Sequence, residues 1–297
     1  MAHLILEPRM RVAARTATVV CAATVSLAVS QPIAPVAQAV PSVGEIVAAA
    51  EKYLADVDSD ERAIFAEERS QQTENRYNSR QEQRLLRSNV LMFRDGSDPV
   101  WIRDVLEVNG TKVADPPDRL LLLANASTAS AQTLSQIPPY TPLQIVTESA
   151  RQQYGGGFRA VNQPGAALNY LRVGRPGDLP FRADGWKTVD GAKVVLLTLK
   201  DAPGGQAVPF AVGGVQGRFW IEPASGRVLQ TELEFIMAAV YRTKITVKYG
   251  VDKTLNTVVP IMMNDEYENR IELVTGRAEY RNFRKVTIDP GAFRIGR

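Results

Sequence analysis

The second half of the chain consists of short segments in which apolar and polar residues alternate. The clearest is residues 241–249, where Arg242, Lys244 and Lys248 alternate with apolar or hydroxyl-bearing residues. A period of two is typical of a strand with one buried and one solvated face. Residues 194–199 are apolar with one threonine and predict a central strand.

Other segments show the same pattern between turn residues. Asn109-Gly110 is the dipeptide favoured in tight hairpins, and residues 77–79 predict the turn of a longer one. Asp265, Glu266 and Glu268 are assigned to a polar loop. The remaining predicted strands are residues 64–69, 85–93, 100–108, 167–173, 186–187, 210–212, 217–222, 227–235, 258–263 and 278–283.

Three segments predict helices. Residues 40–57 begin with Ser42 and Glu45 at capping-box spacing and continue with one apolar face. Residues 115–134 begin with Asp-Pro-Pro-Asp, and residues 141–155 end at three glycines that terminate a helix. The chain thus has many predicted strands and only three predicted helices, a pattern typical of an α+β fold. We predict a large antiparallel sheet of roughly eight or more strands with helices packed on one side.

The N-terminus has the pattern of a secretory signal. Arg9, Arg11 and Arg15 precede an uncharged run over residues 16–29, and Ala37-Gln38-Ala39 fits the small-x-small cleavage rule. The run is too short for a transmembrane helix, and no later segment is longer. We therefore expect a signal peptide at 1–39, a single domain at 40–297 with a helical insertion at about 115–157, and a periplasmic or secreted protein without a transmembrane segment.

The mature chain lacks the residues of several common chemistries. The only histidine and the only cysteine, His3 and Cys21, both lie in the predicted signal. A Ser-His-Asp site, a Cys-His site, a zinc site with those ligands and a disulfide are therefore excluded from the mature protein. The formal net charge of +3 includes three Arg and one Glu of the signal, so the mature chain lies close to +1 and nucleic-acid binding is not expected.

Asp and Glu are the remaining candidates for catalytic residues, but their positions in the sequence do not predict a catalytic pair. Glu67 and Glu68 are neighbours on a strand and point to opposite faces. Glu232 and Glu234 share a face that the apolar residues beside them mark as the solvated one. We therefore predict no enzyme activity, no catalytic residue, no metal site and no cofactor.

Large apolar side chains on the predicted strands form the candidate site. If they line one concave face that is incompletely filled, they make a cavity for a lipid. If the face is filled, they are an ordinary core. The candidate ligand-binding residues are Phe93, Trp101, Trp220, Leu229, Leu233, Phe235, Tyr249 and Met262.

One hairpin resembles a known family. Residues 219–229 read Phe-Trp-Ile-Glu-Pro-Ala-Ser-Gly-Arg-Val-Leu, followed by the Lys248-Tyr249 pair and the proline-entered strand at 259–263. This order is similar to that of the periplasmic outer-membrane lipoprotein carriers, the LolA-like family. The resemblance implies a curved half-open barrel with a hydrophobic cavity under the helices, holding a lipid acyl chain or a lipidated peptide. The alternative is a non-catalytic structural or interaction protein of the cell envelope with an envelope protein as its partner.

Overall fold

Eleven strands form one sheet in the computed structural model of the chain. The structure describes residues 39–58, 63–95, 98–128, 140–155, 163–172, 179–203, 211–237 and 240–293. The strands are β1 (Ala63–Arg76), β2 (Glu82–Asp95), β3 (Asp98–Val108), β4 (Thr111–Lys112), β5 (Phe181–Val189), β6 (Ala192–Pro203), β7 (Ala211–Glu222), β8 (Arg227–Met237), β9 (Tyr241–Asp252), β10 (Thr257–Glu268) and β11 (Glu272–Val286).

The described helices are few and mostly short. They are α1 (Val43–Asp58), α2 (Arg119–Ser127), α3 (Pro142–Arg151), a 3-10 turn (Ala166–Leu168) that continues into α4 (Asn169–Arg172), and a C-terminal 3-10 turn (Pro290–Phe293). The predicted capping box of α1 is present, because the Ser42 N–H donates to Glu45 and the Glu45 N–H donates to the Ser42 hydroxyl.

Every neighbouring pair of strands is antiparallel, and the sheet does not close. The order is β4-β3-β2-β1-β11-β10-β9-β8-β7-β6-β5, so β4 and β5 are its edges. The predicted α+β class with a large open antiparallel sheet is confirmed. Register shifts in several pairs, such as those at Phe65/Glu67 and Pro260/Met262, are bulges that bend the strands.

The larger core lies between one face of the sheet and the helices α1 and α4; we call it the inner face. Buried side chains of β6–β10 meet Ile46, Ala50 and Leu54 of α1 and Tyr170 and Leu171 of α4. The fit of α1 is close, because a Cβ on Gly226 in the β7–β8 turn would lie 2.0 Å from the carbonyl oxygen of Ala49.

A smaller core lies on the opposite, outer face at the β1–β3 end. Phe65, Leu91 and Ile102 are register partners there and pack with Leu120 of α2 and Ile145 of α3. A buried ion pair ties α2 to the sheet, since Arg119 donates to both carboxylate oxygens of Asp104 on β3 at 3.0 Å. Strands β2 and β3 are therefore buried on both faces.

Helix α3 covers the edge of β3 beside the short strand β4. The Val105 N–H donates to the hydroxyl of Ser149 at 3.0 Å, and the N–H of Tyr154 donates to Gln72 on the inner face at 2.9 Å. The helix and the turn after it thus connect the outer-face core with the inner face. A strand edge left open would offer unpaired groups to another chain, and α3 prevents this.

Two predicted elements are wrong. Residues 167–173 are predicted as a strand, but the 3-10 turn and α4 occupy 166–172, where every residue from 166 to 171 is buried. Residues 265–268 are predicted as a polar loop, but they continue β10, and Asp265 is buried. Polar residues continue a strand where their side chains find partners on the sheet, a condition that periodicity alone does not reveal.

Some predictions fall outside the described residues. Residues 1–38 of the proposed signal at 1–39, the end of the predicted helix at 129–134, and Phe210 lie there. The division into a signal and a single domain with a helical insertion stays a prediction.

Candidate functional site

Four of the eight predicted residues meet on the inner face. Trp101 on β3, Leu233 and Phe235 on β8 and Tyr249 on β9 are buried in the same cluster. Leu233 and Phe235 are two residues apart on one strand and therefore point the same way. Strands β6 to β9 extend this apolar surface sideways through Leu197, Phe219, Val247 and their register neighbours.

The other four do not join them. Phe93 belongs to the outer-face core, where its ring packs edge-on against Phe293 at 5.5 Å. Trp220 lies between the fully buried Phe219 and Ile221 and is half-buried on the outer face. Met262 occupies the outer face of β10 beside the buried Met263, and the half-buried Leu229 is the extra residue of the bulge between Val228 and Gln230.

Two tyrosine hydroxyls fix the segment 163–172 over the sheet. The Tyr249 hydroxyl donates to the carbonyl of Pro164 at 2.6 Å and lies 3.1 Å from the Thr231 hydroxyl. The Tyr170 hydroxyl donates to the carbonyl of Pro203 at 3.1 Å. Burial raises the pKa of Tyr170 to about 12, so this hydroxyl keeps its proton.

A buried ion pair lies beside the apolar cluster. Arg103 on β3 donates two hydrogen bonds to the two carboxylate oxygens of Glu68 on β1, at 2.7 and 2.8 Å. The two side chains are 5% and 1% exposed. Replacing such a pair with apolar residues often leaves stability unchanged or higher, so a buried pair is weak evidence for a structural role alone.

The electrostatics around this pair determine the charge of Arg103 and the proton of Tyr280. Burial acts to lower the pKa of Arg103, but the Glu68 carboxylate outweighs it and the pKa lies above its ordinary value. Burial and the same carboxylate raise the pKa of Tyr280 on β11 well above its ordinary value. Arg103 is therefore a cation, and Tyr280 a neutral hydroxyl that can donate.

Two further polar atoms beside the pair have no hydrogen-bond partner within the described residues. They are the indole Nε1 of Trp101 and the hydroxyl of Ser88. Ser88 is the register partner of Glu68, and the Trp101 ring packs edge-on against Tyr280 at 5.6 Å. Buried polar groups are normally paired, so each of these unpaired donors needs an explanation such as a bound acceptor.

Sequence reasoning missed this polar group. Glu68 was correctly placed on the face opposite Glu67, but its face was not identified as the buried one. A signal exists on β3, where Arg103 shares the period-two phase of Trp101 and Val105. A charge in the buried phase requires a partner of opposite sign.

Two clefts are described, and both open on the outer face. One measures about 420 Å³ and lies over β1, β2 and β11; the other measures about 210 Å³ and lies over β5–β8. None of the eight predicted residues lines either cleft. Within the part of the chain that the structure describes, no group of three or more acidic, His or Cys side chains could hold a metal ion. No helix among these residues has the length and apolar character needed to cross a membrane.

Comparisons with known proteins give distant structural matches. No protein-family model matches the chain, and no curated protein is similar to it in sequence. A domain named for outer-membrane lipoprotein sorting from Vibrio parahaemolyticus is 11% identical over 82% of this chain and 93% of that chain, with a TM-score of 0.41. A LolA-superfamily protein from Nitrosomonas europaea is 12% identical over 84% and 97%, with a TM-score of 0.39.

A third match is a DUF1329 family protein from Desulfovibrio piger. It is 12% identical over 86% of this chain and 98% of that chain, with a TM-score of 0.38. Likeness at this level carries no conclusion about what this chain binds. The site must be interpreted from its own residues.

Proposed function

We propose that the chain is an exported, non-catalytic binding or carrier protein that holds an acyl chain or a lipidated peptide on the inner face of its sheet. The observation that carries this proposal is the position of the Glu68–Arg103 pair. The pair and two unpaired donors lie at one end of an extended apolar surface. An amphipathic ligand has the same division into an apolar part and a polar end.

The apolar part of the site is the surface under α1 and α4. Leu233, Phe235 and Val247 lie on adjacent strands in that surface. Transfer of a hydrocarbon chain from water to such a surface stabilises by roughly 0.8 kcal/mol per CH₂. A chain of moderate length therefore binds measurably once α1 or α4 moves to admit it.

The polar end would hold the group to which the acyl chain is attached. The Trp101 indole and the Ser88 hydroxyl can both donate, and each can bind a carbonyl oxygen of an ester or amide. The charged pair beside them keeps this end of the face polar. We assign recognition of the ligand's carbonyl groups to these donors.

Export and the lack of catalysis complete the proposal. The signal pattern at residues 1–39 supports a periplasmic or secreted protein. Two buried carboxylates of the β1–β3 region, Glu68 and Asp104, are each bound by an arginine, Arg103 and Arg119. A carboxylate held in this way is a weak general base, so these residues favour a structural or binding role.

The test is titration of a fluorescent fatty-acyl probe into the mature protein and two matched variants. Phe235→Glu places a charge on the inner face, whereas Ile236→Glu places the same charge one residue away on the outer face, where Ile236 is 42% exposed. The proposal predicts saturable binding by the wild type and by Ile236→Glu, and none by Phe235→Glu. A melting curve of each variant shows whether it is folded.

The alternative of a cell-envelope structural protein is favoured by the near-complete burial of Leu233 and Phe219. A filled core would give a wild type that binds no probe and a Phe235→Glu variant that unfolds. If Phe235→Glu does not fold, Trp101→Phe decides between the two functions, because it removes the unpaired indole N–H and keeps an aromatic ring at this position.

A further inference from the structure

The cleft of about 420 Å³ on the outer face lies on the side of the sheet opposite the proposed acyl site. It is bounded by β1, β2 and β11 and by the β3–β4 turn. Its ten lining residues include three arginines, two glutamates and two leucines. The ones used below are Arg69, Arg87, Arg277, Leu85, Glu107 and Glu279.

Two of the arginines face each other across neighbouring strands. Arg69 on β1 is the register partner of Arg87 on β2, and Arg277 on β11 lies one row away as the partner of Gln71. Like charges directly opposite each other on antiparallel strands destabilise the sheet. In the same row, Glu107 on β3 lies opposite Arg87 and Glu279 on β11 lies opposite Arg69, so each arginine of the pair has a carboxylate on its other side.

The two glutamates of the cleft are already bound by arginines other than Arg69. Glu107 accepts a hydrogen bond from Arg87 at 2.5 Å, and Glu279 accepts from Arg277 at 3.3 Å and from Arg281 at 2.7 Å. The Arg69 side chain makes no ion pair or hydrogen bond among the described residues. Glu67 also acts on Arg87, so three carboxylates face the three cleft arginines together with Arg281 and Lys112, which leaves a positive excess of about two charges.

The ionisation of these glutamates agrees with a cationic cleft. The hydrogen bond from Arg87, aided by the fields of Lys112 and Arg69, lowers the pKa of Glu107. Hydrogen bonds from Arg281 and Arg277 lower the pKa of Glu279. Both carboxylates are ionised at neutral pH, and the cleft is still cationic with them charged.

The cleft also has an apolar wall. Leu85 is 55% exposed at its side, next to Gln71 in the register. An exposed leucine beside guanidinium groups suits an anion that carries a hydrocarbon group, since the leucine covers the group while the arginines hold the charge.

We propose that this cleft binds an oxyanion, such as a phosphate monoester, attached to a short hydrocarbon group. The planar guanidinium groups of Arg69 and Arg87 offer paired N–H donors that match phosphate oxygens. The source is either a free phosphate ester or the headgroup of an anionic lipid. The site does not depend on the acyl site of the inner face.

The test is calorimetric titration of inorganic phosphate and of butyl phosphate at constant ionic strength. The wild type should bind both, and butyl phosphate more tightly. Arg69→Gln should weaken both by about tenfold, the loss of one charge-assisted hydrogen bond. Leu85→Ser should remove only the preference for the butyl ester. Arg182→Gln, with the same charge change on the same face outside this cleft, should bind like the wild type.

Vesicles separate the two sources. Sedimentation with phosphatidylglycerol vesicles, but not with phosphatidylcholine vesicles, and its loss in Arg69→Gln would support a headgroup; binding of butyl phosphate alone would support a free ester. No binding by the wild type, or an equal loss in Arg69→Gln and Arg182→Gln, would overturn the site. The fatty-acyl probe should bind Arg69→Gln normally, which keeps this result independent of the inner face.

Discussion

Arg103 and Glu68 are bound to each other although their strands are not neighbours. Strand β2 lies between them, and the register places Arg103 opposite Val90 and Glu68 opposite Ser88. The guanidinium therefore reaches across β2 to donate both hydrogen bonds, at 2.7 and 2.8 Å. The pair fixes a charged group on the inner face, where the rest of the surface is largely apolar.

Removal of one partner should be far more harmful than removal of both. Glu68→Gln removes the carboxylate to which Arg103 donates both hydrogen bonds and leaves only the field of Asp265, so it should lower the free energy of unfolding by up to about 3–5 kcal/mol. The double variant Glu68→Gln/Arg103→Met should recover most of this loss, although Asp265 then lacks the field of Arg103. Chemical denaturation of both variants measures this.

The double variant also tests the role of the pair. If the pair belongs to a binding site, the folded double variant should bind the acyl probe less tightly than the wild type. Unchanged binding would show that the pair has no part in ligand recognition.

Trp101→Phe should separate packing from recognition. The change keeps an aromatic ring against Tyr280 and removes the Nε1 donor, which has no partner among the described residues. Stability should fall by roughly 1–2 kcal/mol, because the smaller ring leaves a small cavity in the core. Binding of an acyl ester should weaken by about tenfold, the value of one hydrogen bond. A variant that binds as well as the wild type would remove Trp101 from the site.

Gly226→Ala should loosen α1. Gly226 has a positive φ of 72°, and an added Cβ would lie 2.0 Å from the Ala49 carbonyl oxygen. The matched control is Gly110→Ala, which has a φ of 80° and no atom within 4 Å of the added Cβ. The free energy of unfolding of the control should fall only by the roughly 1–2 kcal/mol that a left-handed backbone conformation costs a residue with a Cβ. The free energy of unfolding of Gly226→Ala should fall clearly further. Equal decreases in the two variants would contradict the close packing of α1 on the β7–β8 turn.

The contribution of Glu74 to the free energy of unfolding should decrease as the pH rises. Burial, together with the neighbouring Glu272 carboxyl, raises the pKa of Glu74 above its ordinary 4.5. The folded state then holds this proton more tightly than the unfolded chain does. Its contribution to stability is complete below 4.5 and is lost as the pH rises through the raised value. Glu74→Gln, which resembles the protonated form, should gain in melting temperature relative to the wild type between acid and neutral pH.

Glu45 supplies a control of opposite sign. Hydrogen bonds from Ser42 lower the pKa of Glu45, so its contribution is present above the ordinary 4.5 and is lost as the pH falls through the lowered value. Glu45→Gln should therefore be less stable than the wild type at neutral pH and equal to it in acid. The same trend in both variants would contradict the assignment for Glu74.

The sheet was largely predictable because alternation marks a strand with one buried face. The β7–β8 hairpin and β9 follow directly from it. The strand character of Asp265 was not predictable, because it depends on a partner in the fold. The short helix at 166–172 was also missed, since six consecutive buried residues have no period.

The site was predictable only in part. Alternation shows that Phe219 and Trp220 point to opposite faces, but not which of them points inward. The bulge after Pro260 shifts the phase of β10 by one residue, so the face of Met262 cannot be derived from the sequence. The group formed by Glu68, Arg103 and Ser88 comes from three strands and exists only in the folded register.

Native mass spectrometry of the mature protein purified from its own cell envelope tests the central claim most directly. The account predicts an added mass that is released on activation and yields a fatty-acyl fragment, and that is retained by Ile236→Glu but absent from folded Phe235→Glu. A wild-type spectrum that shows the polypeptide alone, together with a wild type that takes up no fatty-acyl probe, would contradict the proposal that the inner face holds an acyl chain.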